Sequence, residues 1–333
     1  MTPLNIPTLE AIQSARQRLT GTIVRTPLVK FESCSSDFSR SRIVTTEVVT
    51  TPEIYLKLEN LQPTGSFKVR GAGNALLLAK SSQLKDGVWT ASAGNMGQAL
   101  AWYARKLGVA CTVVVPDDAP EDKVRAIEQL GAQIVTVPFV EYQAIQREGG
   151  YPGMKGMLVH PFADQAVMAG NGTIGLETLE DLPDVDIVLV PYGGGGLSCG
   201  IAAAIRASKP EVRVEAVEVA TAAPLIGSLA ARKPVEVPYQ SSFVSGMGAP
   251  FVFPQMWPLT GQLLDGSRVV ELAQVAEAIR LLAERHHVIA EGAGAVALAA
   301  ALAGPAGKKV VCVVSGGNIA SDHLIKILKG ELP

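Results

Sequence analysis

One lysine in this chain has a setting that favours covalent chemistry. Lys68 lies between a strand-like segment at 54–58 and a helix-like segment at 72–80. This spacing places Lys68 in the first helical turn, with Thr64 or Ser66 as the helix cap. There the positive end of the helix dipole and partial burial both lower the pKa of an ammonium group. A neutral amine forms a Schiff base with an aldehyde, although this stretch alone is better explained by a lysine that points into water.

The strongest physical feature is a run of four glycines between a strand and a helix. The run consists of Gly193, Gly194, Gly195 and Gly196. It follows the strand-like segment 187–192 and opens the helix-like segment 197–202. Glycines let the backbone approach a ligand and turn several N–H groups towards it, beside the positive end of the helix. The run therefore predicts an anion site, typically for phosphate, but it lacks the Gly-Lys-Ser/Thr ending of a nucleotide P-loop.

Two polar turns add candidate ligand contacts. Ser92 can cap the helix-like segment that follows it, and Asn95 carries an amide in the same turn. Ser315 ends the last strand, at the carboxyl edge where α/β sheets bind ligands. Each turn taken singly is also explained by ordinary helix capping or chain reversal. Together with Lys68 and the glycines, they supply the aldehyde partner, phosphate site and polar groups that a pyridoxal phosphate enzyme needs.

Composition excludes several classes of protein. The 333 residues carry a formal charge of −2 and no Lys/Arg cluster, so we expect neither nucleic-acid nor membrane-surface binding. The four cysteines are far apart, which is typical of a reducing compartment. The start lacks a basic region followed by an apolar one, and the apolar run at 293–303 is too short to span a bilayer. We therefore expect a soluble cytoplasmic protein.

Strand-like and helix-like segments alternate along most of the chain. Such alternation predicts an α/β fold with a mainly parallel sheet and helices on both faces. Two segments interrupt the pattern: 33–52 is rich in Ser and Thr and predicts a surface excursion, and 232–258 contains five prolines and predicts a long irregular connection. Long connections in compact α/β proteins often contribute to function.

The motifs together resemble the fold-type II pyridoxal phosphate enzymes of the threonine/serine dehydratase and serine racemase family. The matching stretches are 57–72, 92–95, 160–162, 172–177, 193–196, 291–295 and 315–318. The resemblance implies a tryptophan synthase β-like fold with two open, twisted, mainly parallel sheets flanked by helices. It also implies a large cofactor domain, 1–85 plus 165–333, and a small domain, 86–164, that closes over the substrate. Relatives are commonly homodimers or homotetramers, and we expect one of these states.

The resemblance assigns roles to individual residues. The implied cofactor contacts are Lys68, Phe67, Asn95, Gly193, Gly194, Gly195, Gly196, Gly246 and Ser315. Lys68 would hold the cofactor aldehyde and shuttle the α-proton, and the four glycines would bind the phosphate. Asn95 would meet the ring hydroxyl, Phe67 would pack beside the ring, and Gly246 would line the cofactor face. Ser315 would hydrogen-bond the pyridine nitrogen without holding it protonated, which suits rapid β-elimination.

The implied reaction is the loss of the β-hydroxyl from threonine, serine or a bulkier analogue such as phenylserine, which yields a 2-oxo acid and ammonia. Ser92, Ala93 and Gly94 would hold the substrate carboxylate. Racemases of the family carry a serine at the position of Ala93, and β-replacing synthases usually carry an aspartate at the position of Val69. Both departures favour a carbon–oxygen lyase over serine racemisation or β-replacement.

Two alternatives of other classes remain open from the sequence. A relaxed G-x-G-x-x-A pattern at 292–297 permits a NAD-dependent oxidoreductase, but small-residue helix packing explains it better. A non-catalytic binding protein that keeps the fold would carry the same motifs. Visible absorbance that disappears on borohydride reduction separates a pyridoxal phosphate enzyme from both.

The substrate pocket has unusual residues for the family. Met96 replaces a common histidine, and the irregular connection contributes Phe251, Phe253 and Trp257. These residues permit the hypothesis that the pocket takes a larger or more apolar side chain. Packing against the core explains them equally well.

Sequence reasoning predicts no metal site and no catalytic histidine. Some relatives bind a cation through a glutamate at the position of Glu218 and a second carboxylate, but here Pro224 occupies the second position. We therefore expect little or no activation by Mg²⁺. The four histidines show no ligand spacing, and we expect structural roles for them, including His160.

Overall fold

The computed structural model describes residues 4–32, 52–304 and 307–333. The described strands are β1 (Leu28–Lys30), β2 (Glu53–Lys57), β3 (Val88–Ala91), β4 (Cys111–Pro116), β5 (Gln133–Val137), β6 (Met157–Leu158), β7 (Ile187–Pro191), β8 (Arg213–Val219), β9 (Gly266–Val270) and β10 (Lys309–Val313). The described helices are α1 (Leu9–Leu19), α2 (Lys68–Leu78), α3 (Ser81–Leu84), α4 (Asn95–Leu107), α5 (Glu121–Gln129), α6 (Phe139–Glu148), α7 (Gln165–Asp181), α8 (Gly196–Ser208), α9 (Pro224–Ala231), α10 (Trp257–Leu263), α11 (Leu272–His286), α12 (Gly292–Ala303) and α13 (Ser321–Leu328). The predicted surface excursion at 33–52 lies almost entirely outside the described residues.

The strands form two sheets. The larger sheet has the order β1-β2-β10-β7-β8-β9, in which β1 is antiparallel to β2 and every other pair is parallel. The smaller sheet has the order β5-β4-β3-β6 and is parallel throughout. Two open, mainly parallel sheets flanked by helices are the predicted architecture. The smaller sheet lies within the predicted small domain, whose boundaries stay a prediction.

Alternate residues of β7 show how the larger sheet is covered on both faces. Val188 and Val190 pack into the core that α7 and α8 complete. Ile187 and Leu189 point to the other face and pack into the core that α11 and α12 complete. Because successive side chains of a strand point to opposite faces, a strand that is buried on both faces is apolar throughout. The larger sheet is therefore covered by helices on both faces along β7.

Helix α2 connects the two sheets. Its residues Val69 and Leu76 pack with Leu100 of α4 and with Val113 of β4, in the core beside the smaller sheet. The opposite side of α2 contacts α7 closely, since a Cβ at Gly71 would lie 2.7 Å from a methyl carbon of Val167. This packing holds the start of α2 between the two sheets.

The start of α2 differs from the predicted cap. Phe67 occupies the N-cap position, and neither Thr64 nor Ser66 caps the helix with its side chain. The backbone of this stretch is instead tied to the end of β10. Phe67 N donates to Ser315 O at 3.0 Å, and Gly317 N donates to Gly65 O at 2.9 Å. The cap prediction was wrong because these bonds to a distant strand determine how the helix begins.

The predicted irregular connection at 232–258 is confirmed. Between the end of α9 and the start of α10, its backbone forms no helix or strand beyond an isolated bridge from Glu236 to Phe251. The connection lies at the carboxyl edge of the larger sheet. Its Gly246 O faces Gly193 after β7, since a Cβ at Gly193 would approach that oxygen to 2.9 Å.

A buried ionic cluster fixes α2 in rotation. Arg70 donates to Glu59 through Nε at 2.7 Å and to Glu177 of α7 through Nη1 at 2.6 Å. Lys57 of β2 donates to the other oxygen of Glu177 at 2.6 Å. All four side chains are at most 5% exposed, so two cations and two carboxylates neutralise one another away from water. Breaking such a pair leaves an uncompensated buried charge, which costs more than an exposed pair contributes.

We expect Arg70→Ala to lower the free energy of unfolding by about 3–5 kcal/mol, because two buried carboxylates then share one cation. Equilibrium urea unfolding monitored by circular dichroism measures the loss. The matched control is Arg280→Ala, which removes the exposed pairs of Arg280 with Glu277 and Glu284 on α11 and should cost less than about 1 kcal/mol. Equal losses in the two variants would contradict a stabilising role for the buried cluster.

Candidate active site

A cavity of about 820 Å³ lies at the carboxyl ends of the strands of both sheets. Its walls include residues that follow β3, β6, β7 and β10, which is where parallel α/β sheets bind ligands. Every predicted site residue lines it: Phe67, Lys68, Ser92, Ala93, Gly94, Asn95, Gly193, Gly194, Gly195, Gly196, Gly246 and Ser315. The structure thus brings all of them together, while their individual contacts with cofactor and substrate stay predictions.

Lys68 is the first residue of α2 and extends into the cavity. Its Nζ donates to Pro161 O at 2.6 Å and lies 5.1 Å from the ring centroid of Phe67. Burial lowers the pKa of Lys68 to about 8, because the ammonium loses hydration, while the nearby Glu291 carboxylate acts in the opposite direction. About a tenth of this amine is therefore neutral at pH 7, far more than for a lysine with the usual pKa of about 10.4.

The four glycines form a cradle at the start of α8. Gly195 has a φ of +89° and is the N-cap of a 13-residue helix that begins at Gly196. A Cβ at Gly194 would overlap the Phe162 ring, and one at Gly196 would lie 2.7 Å from the Phe162 backbone. Side chains are therefore excluded at Gly194 and Gly196, and the positive end of α8 borders the cavity. This arrangement suits a phosphate.

Sequence reasoning missed the turn that holds both of these features. His160 Nδ1 accepts from Ala163 N at 2.9 Å, and its Nε2 donates to Gln146 O at 2.9 Å. Burial lowers the pKa of His160 to about 4, so the ring is neutral and in one tautomer. The turn supplies Pro161 O to Lys68 and the ring of Phe162 to the glycines. His160 thus has the structural role expected for it. The motif at 160–162 was the signal in the sequence that could have pointed to this turn.

Ser315 lies two residues beyond the end of β10 and is 3% exposed. Its Oγ donates to Ala293 O at 3.3 Å, a long bond for a hydroxyl. Because a hydroxyl rotates about its C–O bond, the same group could donate to a ring nitrogen in the cavity. The residue therefore has the chemistry that its predicted role requires.

Asn95 and Glu291 are directly bonded at one wall of the cavity. Asn95 Nδ2 donates to Glu291 Oε1 at 2.6 Å, and Asn95 Oδ1 accepts from Asn318 Nδ2 at 2.8 Å. Burial raises the pKa of Glu291 to about 7, although its bond with Asn95 favours the charged form. Glu291 belongs to a motif that the sequence singled out, but the sequence did not indicate that it contacts Asn95.

The turn before α4 corrects one prediction. Ser92 does not cap this helix, because Gly94 is the N-cap and no side chain bonds there. Ser92 Oγ instead accepts from Gly94 N at 3.3 Å, which closes a turn within the segment. Ser92, Ala93 and Gly94 still line the cavity, so their predicted contact with a substrate carboxylate remains a prediction.

Aromatic and apolar side chains form another part of the wall. Met96, Phe251 and Phe253 line the cavity, and the Phe253 ring lies 4.4 Å from that of Phe162, centroid to centroid. Phe139 and Tyr142 of α6 also line it. The hypothesis that these residues shape the pocket for a larger or more apolar side chain was wrong for Trp257. This residue is the first of α10 and packs against the core of the larger sheet instead.

At the possible cation site, the Glu218 carboxylate already accepts hydrogen bonds from the protein. Glu218 Oε1 accepts from Leu225 N at 2.7 Å, and its Oε2 accepts from Ile226 N at 2.8 Å and from Ser267 Oγ at 2.7 Å. Glu218 therefore caps α9, which begins at Pro224. Among the described residues, no three His, Cys, Asp or Glu side chains are arranged to hold a metal ion. Independence from Mg²⁺ stays a prediction.

The pattern at 292–297 lies within α12 and serves helix packing. A Cβ at Gly294 would overlap Gly316 O, and one at Gly292 would lie 2.8 Å from the Cα of Val244. Small residues here therefore allow close approach of protein backbone, and this explains the pattern without a dinucleotide. No helix in the described part of the chain is long and apolar enough to cross a membrane.

Known proteins are similar to this chain over nearly its whole length. The family model described as pyridoxal-phosphate dependent enzyme matches residues 19–316. L-threonine ammonia-lyase of Thermotoga maritima is 39% identical over 330 residues, which covers 98% of this chain and 79% of the relative. L-threonine ammonia-lyase of Geobacter sulfurreducens is 43% identical over 317 residues, which covers 92% of this chain and 75% of the relative.

Solved structures are similar as well. Maize serine racemase superposes with a TM-score of 0.84 at 29% identity and covers 98% of both chains. The processed form of threonine deaminase isoform 2 from Solanum lycopersicum superposes with a TM-score of 0.82 at 27% identity and covers 99% of this chain and 98% of that one. These findings confirm the predicted family, the fold class and the dependence on pyridoxal phosphate. The chain belongs to the family of pyridoxal-phosphate dependent enzymes.

Proposed function

We propose that this protein is an ammonia-lyase that removes the β-hydroxyl of a 3-hydroxy amino acid. The net reaction gives a 2-oxo acid and ammonia, since the water lost by elimination is taken up again on hydrolysis of the enamine product. The observation that carries the proposal is the convergence of Lys68 and the glycine cradle on one cavity. The predicted reaction class is also that of the threonine ammonia-lyases to which the chain is similar.

The residues present suit the cofactor. When bound, pyridoxal phosphate supplies an electron-withdrawing ring that makes the α-proton of an attached amino acid removable. The N–H groups at the start of α8 would hold the phosphate, because they combine donors with the positive helix end. Phe67 would pack beside the ring. Ser315 would donate to the ring nitrogen and, as a neutral hydroxyl, would leave that nitrogen uncharged.

Lys68 would serve first as a nucleophile and then as a base. Both tasks need a neutral amine, and burial lowers the pKa of Lys68 to about 8. Pro161 O accepts a hydrogen from Nζ, so the amine is held in one orientation when it is not bonded to the cofactor. Nζ would take the α-proton and deliver a proton to the departing β-hydroxyl, which leaves as water, so that the amine is neutral again.

Serine racemisation is a second candidate, favoured by the similarity to maize serine racemase. It needs an acid or base on each side of the ring. Ala93 stands where the resemblance places the second group, and a methyl group carries no exchangeable proton. We therefore favour elimination over racemisation.

The apolar wall bears on the choice of substrate. Phe251 and Met96 offer an aromatic face and a polarisable side chain to whatever extends from the β-carbon. Phe251 is itself ordered by Phe253, 5.2 Å away between ring centroids, and by the Arg147 guanidinium 4.5 Å from its ring. We propose that the enzyme accepts an aromatic 3-hydroxy amino acid in addition to threonine and serine.

The assembly and the cellular setting are inferred by analogy. We propose a homodimer or homotetramer in the cytoplasm, in which residues 86–164 form a domain that closes over the substrate. Closure of this kind excludes water from the reacting groups.

Replacing the predicted nucleophile tests the function. Lys68→Ala should abolish both the visible absorbance of the purified protein and its release of 2-oxo acid and ammonia from L-threonine and L-serine. The control Lys85→Ala changes an exposed lysine and should retain both. Chiral chromatography of the serine reaction checks the second candidate. Formation of D-serine faster than pyruvate by the unmodified protein would reverse our choice.

The lowered pKa of Lys68 predicts a pH profile. Because the neutral amine is the reactive form, acetylation of Lys68 in the cofactor-free protein should rise about tenfold per pH unit and level off above about pH 8. Trace acetic anhydride and mass spectrometry of the peptide measure the rate. Acetyl-lysine amide is the reference, and its rate continues to rise to a pKa of about 10.4. The same late plateau for Lys68 would show that burial leaves its pKa unchanged.

The apolar wall predicts a substrate preference. We expect kcat/KM for L-threo-phenylserine to exceed that for L-threonine by about tenfold or more, because the phenyl group leaves water for an apolar wall. Steady-state release of 2-oxo acid measures both values. Phe251→Ala should lower the value for phenylserine and leave that for threonine within about twofold. Comparable values for the two substrates in the unmodified enzyme would count against the idea.

A further inference from the structure

The side-chain amide of Asn95 is held by partners that allow only one orientation. The first of these constraints is Thr64 O, a backbone carbonyl that can only accept hydrogen bonds. Asn318 Nδ2 donates to it at 2.9 Å, which fixes which end of the Asn318 amide faces this region. The same Nδ2 donates to Asn95 Oδ1 at 2.8 Å. The oxygen of Asn95 therefore points to Asn318, and its nitrogen points the other way.

Glu291 meets that nitrogen. Its Oε1 accepts from Asn95 Nδ2 at 2.6 Å, as a carboxylate should. Glu291 is itself fixed at the N-cap of α12: its backbone N donates to Gly316 O at 3.0 Å, and its backbone O accepts from Ala295 N at 3.1 Å. The side chain is buried, with 7% of the residue exposed at the cavity wall. The orientation of the Asn95 amide is thus set from the Thr64 O end through Asn318, and Glu291 Oε1 accepts from the nitrogen at the other end.

Gly316 makes room for this pair. A Cβ at position 316 would overlap Glu291 Oε1 and would lie 3.2 Å from Asn95 Nδ2. A side chain at that position would displace the Glu291 carboxylate from its contact with Asn95. The close approach of Gly316 to both polar atoms indicates that the pair is built into the end of β10.

An amide nitrogen has two hydrogens, and Glu291 takes one of them. Asn95 lines the cavity, and its Nδ2 makes no second hydrogen bond with any of the described residues. Its oxygen is already engaged by Asn318. What Asn95 offers to a bound molecule is therefore an N–H donor, and the ring hydroxyl with which it is predicted to interact would be bound through its oxygen as an acceptor.

We propose that Glu291 and Asn318 are positioning residues that fix Asn95 as a hydrogen-bond donor to the cofactor. The inference rests on the proposed function, since it needs a cofactor ring oxygen beside Asn95. Both residues act through Asn95, and their effect on cofactor binding disappears when Asn95 is absent. The acceptor oxygen at position 291, rather than its charge, carries the effect, so a glutamine replaces the glutamate and a leucine does not.

The test is a double-mutant cycle on the holoenzyme. The two quantities measured are the rate of cofactor loss on dilution, followed by visible absorbance, and the wavelength of the absorbance maximum. Glu291→Leu and Asn95→Ala should each speed cofactor loss about tenfold or more, because each removes a hydrogen bond from the chain. The double variant should lose cofactor no faster than Asn95→Ala alone. Glu291→Gln should stay within about twofold of the unmodified enzyme and keep its absorbance maximum.

Asn318→Ala provides a second cycle with Asn95→Ala if the leucine variant does not fold, and the same non-additivity is expected there. Losses that multiply in the double variants would overturn the proposal, and so would a glutamine variant as defective as the leucine variant. Failure of the proposed function is recognised separately. In that case the unmodified protein itself has no visible absorbance or releases no 2-oxo acid, whereas failure of this inference leaves both intact.

Discussion

The site depends on the backbone bonds that tie the stretch before Lys68 to the end of β10. Phe67 N bonds Ser315 O, Gly317 N bonds Gly65 O, and Ser66 pairs with Gly316. These contacts join residues about 250 positions apart and form an antiparallel bridge just beyond the parallel pairing of β2 with β10. They decide where α2 begins and therefore where the lysine amine emerges. The cavity is then completed by turns that follow other strands of the two sheets.

Burial and charge have opposite effects on the pKa values of Lys68 and Glu291 at the cavity. Burial lowers the pKa of Lys68 and raises that of Glu291, so it favours the neutral form of each group, and their mutual attraction opposes this in both cases. In the proposed function the phosphate would be held by backbone N–H groups at the start of α8, where the helix contributes its partial positive charge. The anion would then need no ammonium partner, and the amine of Lys68 would be left available for covalent chemistry.

Sequence alone predicted the features that depend on local order along the chain. The family resemblance implied that the motifs after β3, β7 and β10 belong to one site, and all of them line one cavity. Predictions of side-chain capping failed for Ser66 and Ser92 because distant backbone and turn contacts took precedence. The buried cluster around Arg70 and the turn at His160 were missed for the same reason. Their partners lie far away in sequence, and no local pattern reveals which polar groups share a buried volume.

The orientation of Asn95 shows how far this dependence on tertiary contacts extends. The side chain of an asparagine carries both a donor and an acceptor. The sequence does not show which of the two faces a ligand, because its neighbours in the fold determine this. Here the determining group is Thr64 O, which lies in the same stretch whose backbone is tied to β10. The position of the Lys68 amine and the polarity of the Asn95 amide are consequently set by one structural element. A change that shifts the segment from Thr64 to Phe67 relative to β10 would displace the Lys68 amine and disturb the Asn95 amide together.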